Sequence, residues 1–309
     1  AVPVPNLLRQ FSQAGLWGSI PNPKTIASNP DSLGSKTDGA GQYVLDAATT
    51  VQGSEYVYLP NPKYYDQSKI LWGKIVLRVI ADTNARLQAL MARQIDFTEL
   101  DAQTATAAKG AGLTVQSTSD SWLGIYLEDR DGKVLPEMAD VRFRKAINHA
   151  IDRATIVQAI FGEYAQPTQQ ITVPGRSGYV EELDSYYDYN PDKARALLKE
   201  AGIGKVTFTM VAPTFVPSGV NVGQAVAGML AEIGITMNLE TPATFPAFAE
   251  MAESAKYPGI VFGWGVGDTF DALKQQILPD GVVNPFKNSD PEFTALMDKI
   301  AATSPEAAQ

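Results

Sequence analysis

From residue 206 to residue 264 the chain alternates between two kinds of apolar pattern, and that alternation constrains the fold more than any other feature. Val206–Val211 reads as a strand, Val222–Ile233 as a helix and Ile235–Leu239 as a strand again. Phe245–Ser254 is helical in pattern and Ile260–Trp264 strand-like. A β-α-β-α-β order packs helices on the faces of a shared sheet, which is an α/β domain.

The flanking sequence extends this organisation. Asp140 is placed to cap a helix predicted over Val141–Phe161, with Phe143, Ile147, Ala150, Ala154, Val157 and Phe161 at helical spacing and Gly162 as its stop. Asn190-Pro191 opens another helix, with Ala194, Leu197, Leu198 and Ala201 on one face and Gly202 at its end. Pro291–Ala302 is a last helix. Upstream, Tyr43–Leu45 and Tyr56–Leu59 flank Gly53-Ser54 as an antiparallel pair, and Lys74–Ile80 is a strand. Thr83–Arg93 is a helix capped by Asp82 or Thr83, and Ala102–Ala108 a shorter one. Ile95–Phe97, Leu113–Gln116 and Trp122–Leu127 read as strands. Residues 1–40 are largely irregular, with a short helix at Leu7–Gln13. For 309 residues two domains are the prior. With a crossing near residue 119, residues 1–118 are part of a first lobe and residues 119–309 a second α/β lobe.

The chemistry-bearing residues narrow the function classes. With 25 Lys+Arg against 34 Asp+Glu the net charge is −9, which disfavours nucleic acid and a polybasic membrane surface. There is no cysteine, so disulfides, thiolate nucleophiles and Cys-ligated metals are excluded. The single histidine, His149, shares a helix face with Arg142, Lys145, Asp152 and Arg153 and is expected at the surface. No apolar run approaches the roughly 20 residues of a membrane span.

Gly263-Trp264-Gly265-Val266-Gly267-Asp268 follows a strand but is GxGxG rather than GxGxxG. No helix is expected directly after it, and the acid due about 20 residues later on a second strand is missing. It reads as a tight turn, or as a ligand-facing loop with Trp264 as a flat wall. Asp131-Gly132 reads as a hairpin turn rather than a calcium loop. The acids Glu181, Glu182 and Asp184 read as solvated loop residues, and the seven methionines as core filling. There is no Walker A sequence, no nucleophile constellation and no metal set, so no cofactor is expected and a binder is favoured over an enzyme.

Several blocks, taken together, resemble the bacterial extracellular solute-binding proteins of family 5, the dipeptide, oligopeptide and nickel-binding class of ABC importers. They run in the family's order from about residue 7 to residue 302. Asp38-Gly39-Ala40-Gly41-Gln42-Tyr43-Val44-Leu45 is similar to its G-[TA]-G-P-Y-x-L segment, with Gln42 at the usual proline. Asn61-Pro62-Lys63-Tyr64-Tyr65 resembles N-P-x-Y-[WY], and Arg78-Val79-Ile80-Ala81-Asp82 through Asp96 resembles R-V-I-x-D…A-R-L-x-A-L…G-x-I-D. The most specific block is Asp140 to Arg153, similar to D-V-R-V-R-Q-A-I-x-Y-A-I-D-R, with His149 at the aromatic position. Asp188 to Gly202 resembles Y-D-P-x-K-A-x-x-L-L-x-E-A-G.

The resemblance implies a periplasmic-binding-protein-like (type II) two-lobe clamp of mixed sheets flanked by helices. A solute, peptide by default, is captured between hinged lobes and delivered to ABC permease subunits. It implies an extracytoplasmic location, a monomer, and a membrane link only through a lipid anchor that this sequence does not contain. Family members are longer at both ends, so the chain is expected to be a piece with one lobe incomplete, its first part exposing apolar surface. In peptide-binding members the G-W-x-x-D loop supplies an acid for the ligand's α-amino group. Gly267 takes that position here and Asp268 follows it. The loop Pro213-Thr214-Phe215-Val216-Pro217-Ser218 has no cation for a carboxylate. Trp264, Gly265, Asp268, Thr214 and Phe215 are the expected ligand contacts, and an oligosaccharide or other neutral solute stacking on Trp264 and Phe215 is the alternative. Two other classes are a hydrolase using Asp268 and Asp271, and a scaffold that has lost its ligand.

Overall fold

The computed structural model describes residues 21–118, 121–265 and 269–303. The expected helix at Leu7–Gln13 lies outside them. The described residues divide into two compact units, with the border between Leu100 and Asp101.

In the unit of residues 21–100, α1 (Pro23–Ser28) starts where the Asn22 side chain accepts the Lys24 N–H at 3.0 Å, inside a stretch expected to be irregular. Strands β1 (Tyr43–Leu45), β2 (Glu55–Pro60) and β3 (Ile75–Arg78) form an antiparallel meander with Val44 opposite Leu59 and Val57 opposite Val76. Asp82 caps α2 (Thr83–Met91), accepting the Ala85 N–H at 2.7 Å, and Leu87 and Ala89 are its buried residues. Residues 95–97 form no strand, because a strand needs a hydrogen-bonding edge and they find none among the described residues.

The second unit begins with α3 (Ala102–Gly110), β4 (Ser121–Leu127), α4 (Val141–Ala150), α5 (Arg153–Ile160) and α6 (Pro191–Glu200). It continues β5 (Val206–Val211), α7 (Gly219–Ala231), β6 (Ile235–Glu240), α8 (Phe245–Glu253), β7 (Gly259–Gly265), α9 (Thr269–Gln276) and α10 (Pro291–Ala302). The sheet order is β4-β7-β5-β6, with β5 parallel to β6 and β7 and with β4 antiparallel to β7. Val206, Phe208, Met210, Ile235 and Met237 point to one face, where they pack with Phe143 and Ile147 of α4, Leu198 of α6, and Val226 and Leu230 of α7. Gly223 lets α7 approach closely, since a Cβ there would stand 2.9 Å from a Leu239 methyl. The other face carries a smaller cluster of Tyr126, Val211, Ile260 and Phe248. Leu113–Gln116 forms no strand.

The helix expected as one piece over Val141–Phe161 is two. The break falls at Ile151-Asp152, where the Asp152 carboxylate accepts the Thr155 N–H at 3.0 Å and the Thr155 hydroxyl at 2.7 Å. A capping aspartate competes with helix continuation, and here it wins over an unbroken apolar stripe.

His149 is a second correction. It is buried rather than solvated. Its Nδ1 donates to the Asp188 carbonyl at 2.8 Å and lies 3.1 Å from the Asp188 carboxylate, with the ring edge-on to Tyr187. Residues 187–190, folded back over the end of α4, supply the cover that helical spacing alone does not reveal.

Gly132 sits in a turn at φ 69°, but no strand follows it, so the expected hairpin is absent. The fully buried Asp129 holds the turn instead. Its two oxygens accept the backbone N–H groups of Lys133, Val134 and Leu135 at 2.7–2.8 Å. Next to it, burial pushes the Glu128 carboxyl up to about 8. Asp184 is half-buried rather than solvated and accepts from Thr168, Gln169, Gln170 and Tyr179, while Glu181 and Glu182 are exposed. Met138, Met210, Met237 and Met297 are buried, but Met91 is 48% exposed.

Candidate functional site

In parallel sheets the loops leaving the C-terminal strand ends carry ligand sites, because helix N-termini and loop backbone converge there. Here that edge comprises the segments after Val211, Glu240 and Gly265. The loop after β5 is pinned by Ala212 N–H donating to the Glu240 carbonyl at 2.8 Å and Thr214 N–H donating to the Pro242 carbonyl at 3.0 Å. Ser218 at φ 60° turns the chain into α7. Gly219 fits against Val216, whose Cγ1 would lie 3.1 Å from an added Cβ. Thr214 and Phe215 are thereby presented at the exposed tip of the loop.

Phe215 does not stand alone. It meets Phe245, the first residue of α8, at 6.1 Å between ring centroids, and lies edge-on to the buried Phe248 at 5.8 Å. Phe248 stacks on Phe262 of β7 at 4.8 Å with 6° between the planes, and Phe262 reaches Trp264 at 6.0 Å. A continuous array of rings therefore links the loop after β5 to the end of β7. Its inner members are fixed by packing and its outer ones, Phe215 and Phe245, are exposed.

Trp264 is half-buried near the end of β7 and Gly265, the last residue of that strand, is exposed. Trp264 faces Trp122 across the ladder, and Gly265 faces Ser121. Gly124 leaves the space that the Trp122 ring occupies, since a Cβ there would stand 2.8 Å from it. Asp268, with Val266 and Gly267, lies outside the described residues. Directly beyond them α9 opens at Thr269, so the expectation of no helix after the glycine loop is corrected: Ala272 and Gln276, four residues apart, form its buried side. The Thr269 hydroxyl donates to the Ser177 carbonyl and lies 3.0 Å from the Thr172 hydroxyl.

Four of the five expected contacts thus lie on one edge of the sheet, at the ends of neighbouring strands. Phe245, Phe248 and Phe262 were not among the expected contacts. The signal available for them was positional, as Phe245 opens the helix after β6 and Phe262 precedes Trp264 by two residues on the same face of the strand. Burial raises the Tyr126 hydroxyl well above the ordinary tyrosine range, and that hydroxyl has no hydrogen-bond partner. Among the described residues no cluster of three or more acids and histidines is arranged to hold a metal ion, and no helix is long and apolar enough to cross a membrane.

The profile described as bacterial extracellular solute-binding proteins, family 5 middle, matches residues 7–277. The chain belongs to this family. A relative from Brucella ovis, named as an ABC transporter peptide-binding protein, is 27% identical over 96% of this chain and 54% of its own length. Heme-binding protein A of Haemophilus influenzae is 25% identical over 85% of this chain and 46% of its own. The chain spans about half the length of the curated relatives it matches. Among solved structures, the ABC transporter-associated periplasmic binding protein DppA from Helicobacter pylori, in complex with the peptide STSA, has a TM-score of 0.80. It is 20% identical and covers 99% of this chain and 60% of that one. The fold is that of the type II periplasmic binding proteins, over part of their length.

Proposed function

We propose that the complete protein is the solute-binding component of an ABC importer, and that this chain supplies ligand contacts at the C-terminal ends of β5 and β7. The observation that carries this is the ring array from Phe215 to Trp264, fixed from behind and exposed in front, on the edge where such folds bind ligands. Thr214, Phe215, Trp264, Gly265 and Asp268 are the proposed contacts. Residues 1–118 belong to the first lobe and residues 119–309 to the second. Binding acts by shifting an open–closed equilibrium, with no bond made or broken, so no turnover is expected. The partners are permease subunits in the cytoplasmic membrane, the location is outside that membrane, and the complete protein is a monomer.

Peptide is the default solute, from the names of the relatives. A neutral solute such as an oligosaccharide is the second reading. It is favoured by the lack of a cation in the loop after β5 and by Gly267 at the position where peptide binders carry an acid.

Native against denaturing mass spectrometry of the purified, never-refolded protein tests the proposal and weighs the solute. A discrete mass lost on denaturation is expected. A solute at about 100 times its Kd is expected to add about 2.7 kcal/mol of stability. No extra mass, together with no saturable rise in Tm across peptide and oligosaccharide panels, overturns it. Turnover of any panel member abolished by Asp268→Asn establishes the hydrolase instead.

A further inference from the structure

The ring array is uneven in its electrostatics. Between Lys205 and Lys256 the sequence contains no Lys, Arg or His, while Glu232, Glu240, Glu250 and Glu253 fall in that interval. The interval includes the loop after β5, all of β6 and all of α8. Lys205 and Lys256 precede β5 and β7, and so stand at the strand ends opposite the rings. The next cation in sequence, Lys274, is in the last turn of α9. Arg176 is exposed and precedes Ser177, whose carbonyl takes the hydroxyl of Thr269 at the start of α9. The loop after β5, β6 and α8 carry no cation; of the four acids, Glu232 and Glu253 stand at the far ends of α7 and α8, whereas Glu240 ends β6 on the ring edge of the sheet.

Two large rings are also left uncovered there. Phe245 is 63% exposed and Phe215 39%, whereas Phe248 beneath them is 6% exposed. Exposed aromatic surface backed by a rigid ring gains free energy when a flat apolar group covers it. A positive charge over the ring faces adds attraction, whereas a negative charge there meets the rings' electron-rich faces and no Lys, Arg or His on the loop after β5, β6 or α8.

We propose, resting on the solute-binding reading above, that Phe215 and Phe245 receive an aromatic group of the ligand whose surroundings are uncharged or positive, and that this end of the site rejects a carboxylate. The probes are the Phe-Phe dipeptide amide, the Phe-Phe free acid and the Ala-Ala amide, titrated calorimetrically into the 309-residue chain. The Phe-Phe amide is expected to bind about tenfold more tightly than the acid, which is about 1.4 kcal/mol. The Ala-Ala amide is expected not to saturate. Phe245→Ala and Phe215→Ala, each checked for native circular dichroism, are expected to weaken the Phe-Phe amide about tenfold. Phe245 lies on the surface at the first turn of α8, so its variant isolates the ring from the core.

Equal or tighter binding of the acid overturns the charge assignment, and if Arg176→Gln then removes that preference, Arg176 holds the carboxylate. Amide binding unchanged in both Phe variants overturns the ring assignment. A solute seen by native mass spectrometry together with no amide binding overturns this inference and leaves solute binding standing. No solute and no binding of any probe overturns both.

Discussion

The two units of this chain are built from similar sequence patterns and end with different interiors. Among the described residues, the buried apolar side chains of residues 21–100 are Val57, Leu87 and Ala89. The second unit buries Phe143, Ile147, Met210, Leu230, Ile235, Ile260 and many others. In the first, Tyr65, Leu71, Trp72 and Phe97 are more than 60% exposed, in keeping with the expectation of apolar surface in the first part of the chain. The difference follows from layers rather than from composition. A meander of three short strands presents two faces, and the packing within residues 21–100 covers little of either. The four-stranded sheet has α4, α6 and α7 against one face and α8 against the other, so alternate residues of the same strand both find cover.

The largest effect that tests this contrast is Phe143→Ala. Phe143 is fully buried among α4, α6 and α7, and its truncation leaves a cavity that is expected to destabilise the second unit by about 3–5 kcal/mol in urea unfolding. A loss below about 1 kcal/mol breaks the claim that this unit has a close-packed core of its own.

Glu128 sharpens the contrast through pH. Its carboxyl is raised to about 8 by burial, from an ordinary value of 4.5. Between those values the unfolded chain releases the proton and the folded chain keeps it. The stabilisation is therefore complete below about pH 4.5 and falls as pH rises, by at most about 1.4 kcal/mol per unit, levelling off beyond the folded value. Glu128→Gln is expected to flatten that slope and to stabilise the protein at pH 8 relative to pH 5. An unchanged slope, measured by urea titrations across that range, places the carboxyl in water.

The smallest effect is Trp72→Ser in the first unit. Trp72 is 64% exposed, and its replacement is expected to move stability by no more than about 0.5 kcal/mol. A loss approaching that of Phe143→Ala erases the difference between the two units.

Residue patterns and local chemistry determined the order and type of most elements. Strand alternation in Val206–Val211 and Ile235–Glu240, the caps at Asp82, Asp140 and Asn190, and the stop at Gly202 are decided within a few residues of backbone. The family blocks were legible for the same reason, since they are contiguous. Tertiary structure alone decided where a local signal met a competitor or needed a distant partner. Asp152 broke a helix whose apolar stripe ran on, and residues 187–190 buried a histidine that sits on a polar helix face. Most of all, tertiary packing assembled the rings. Phe215, Phe245, Phe248, Phe262 and Trp264 come from three separate segments of sequence, and only parallel strands ending on one edge bring them into contact. Periodicity reports which face of an element is apolar; what covers that face depends on chain that arrives from elsewhere.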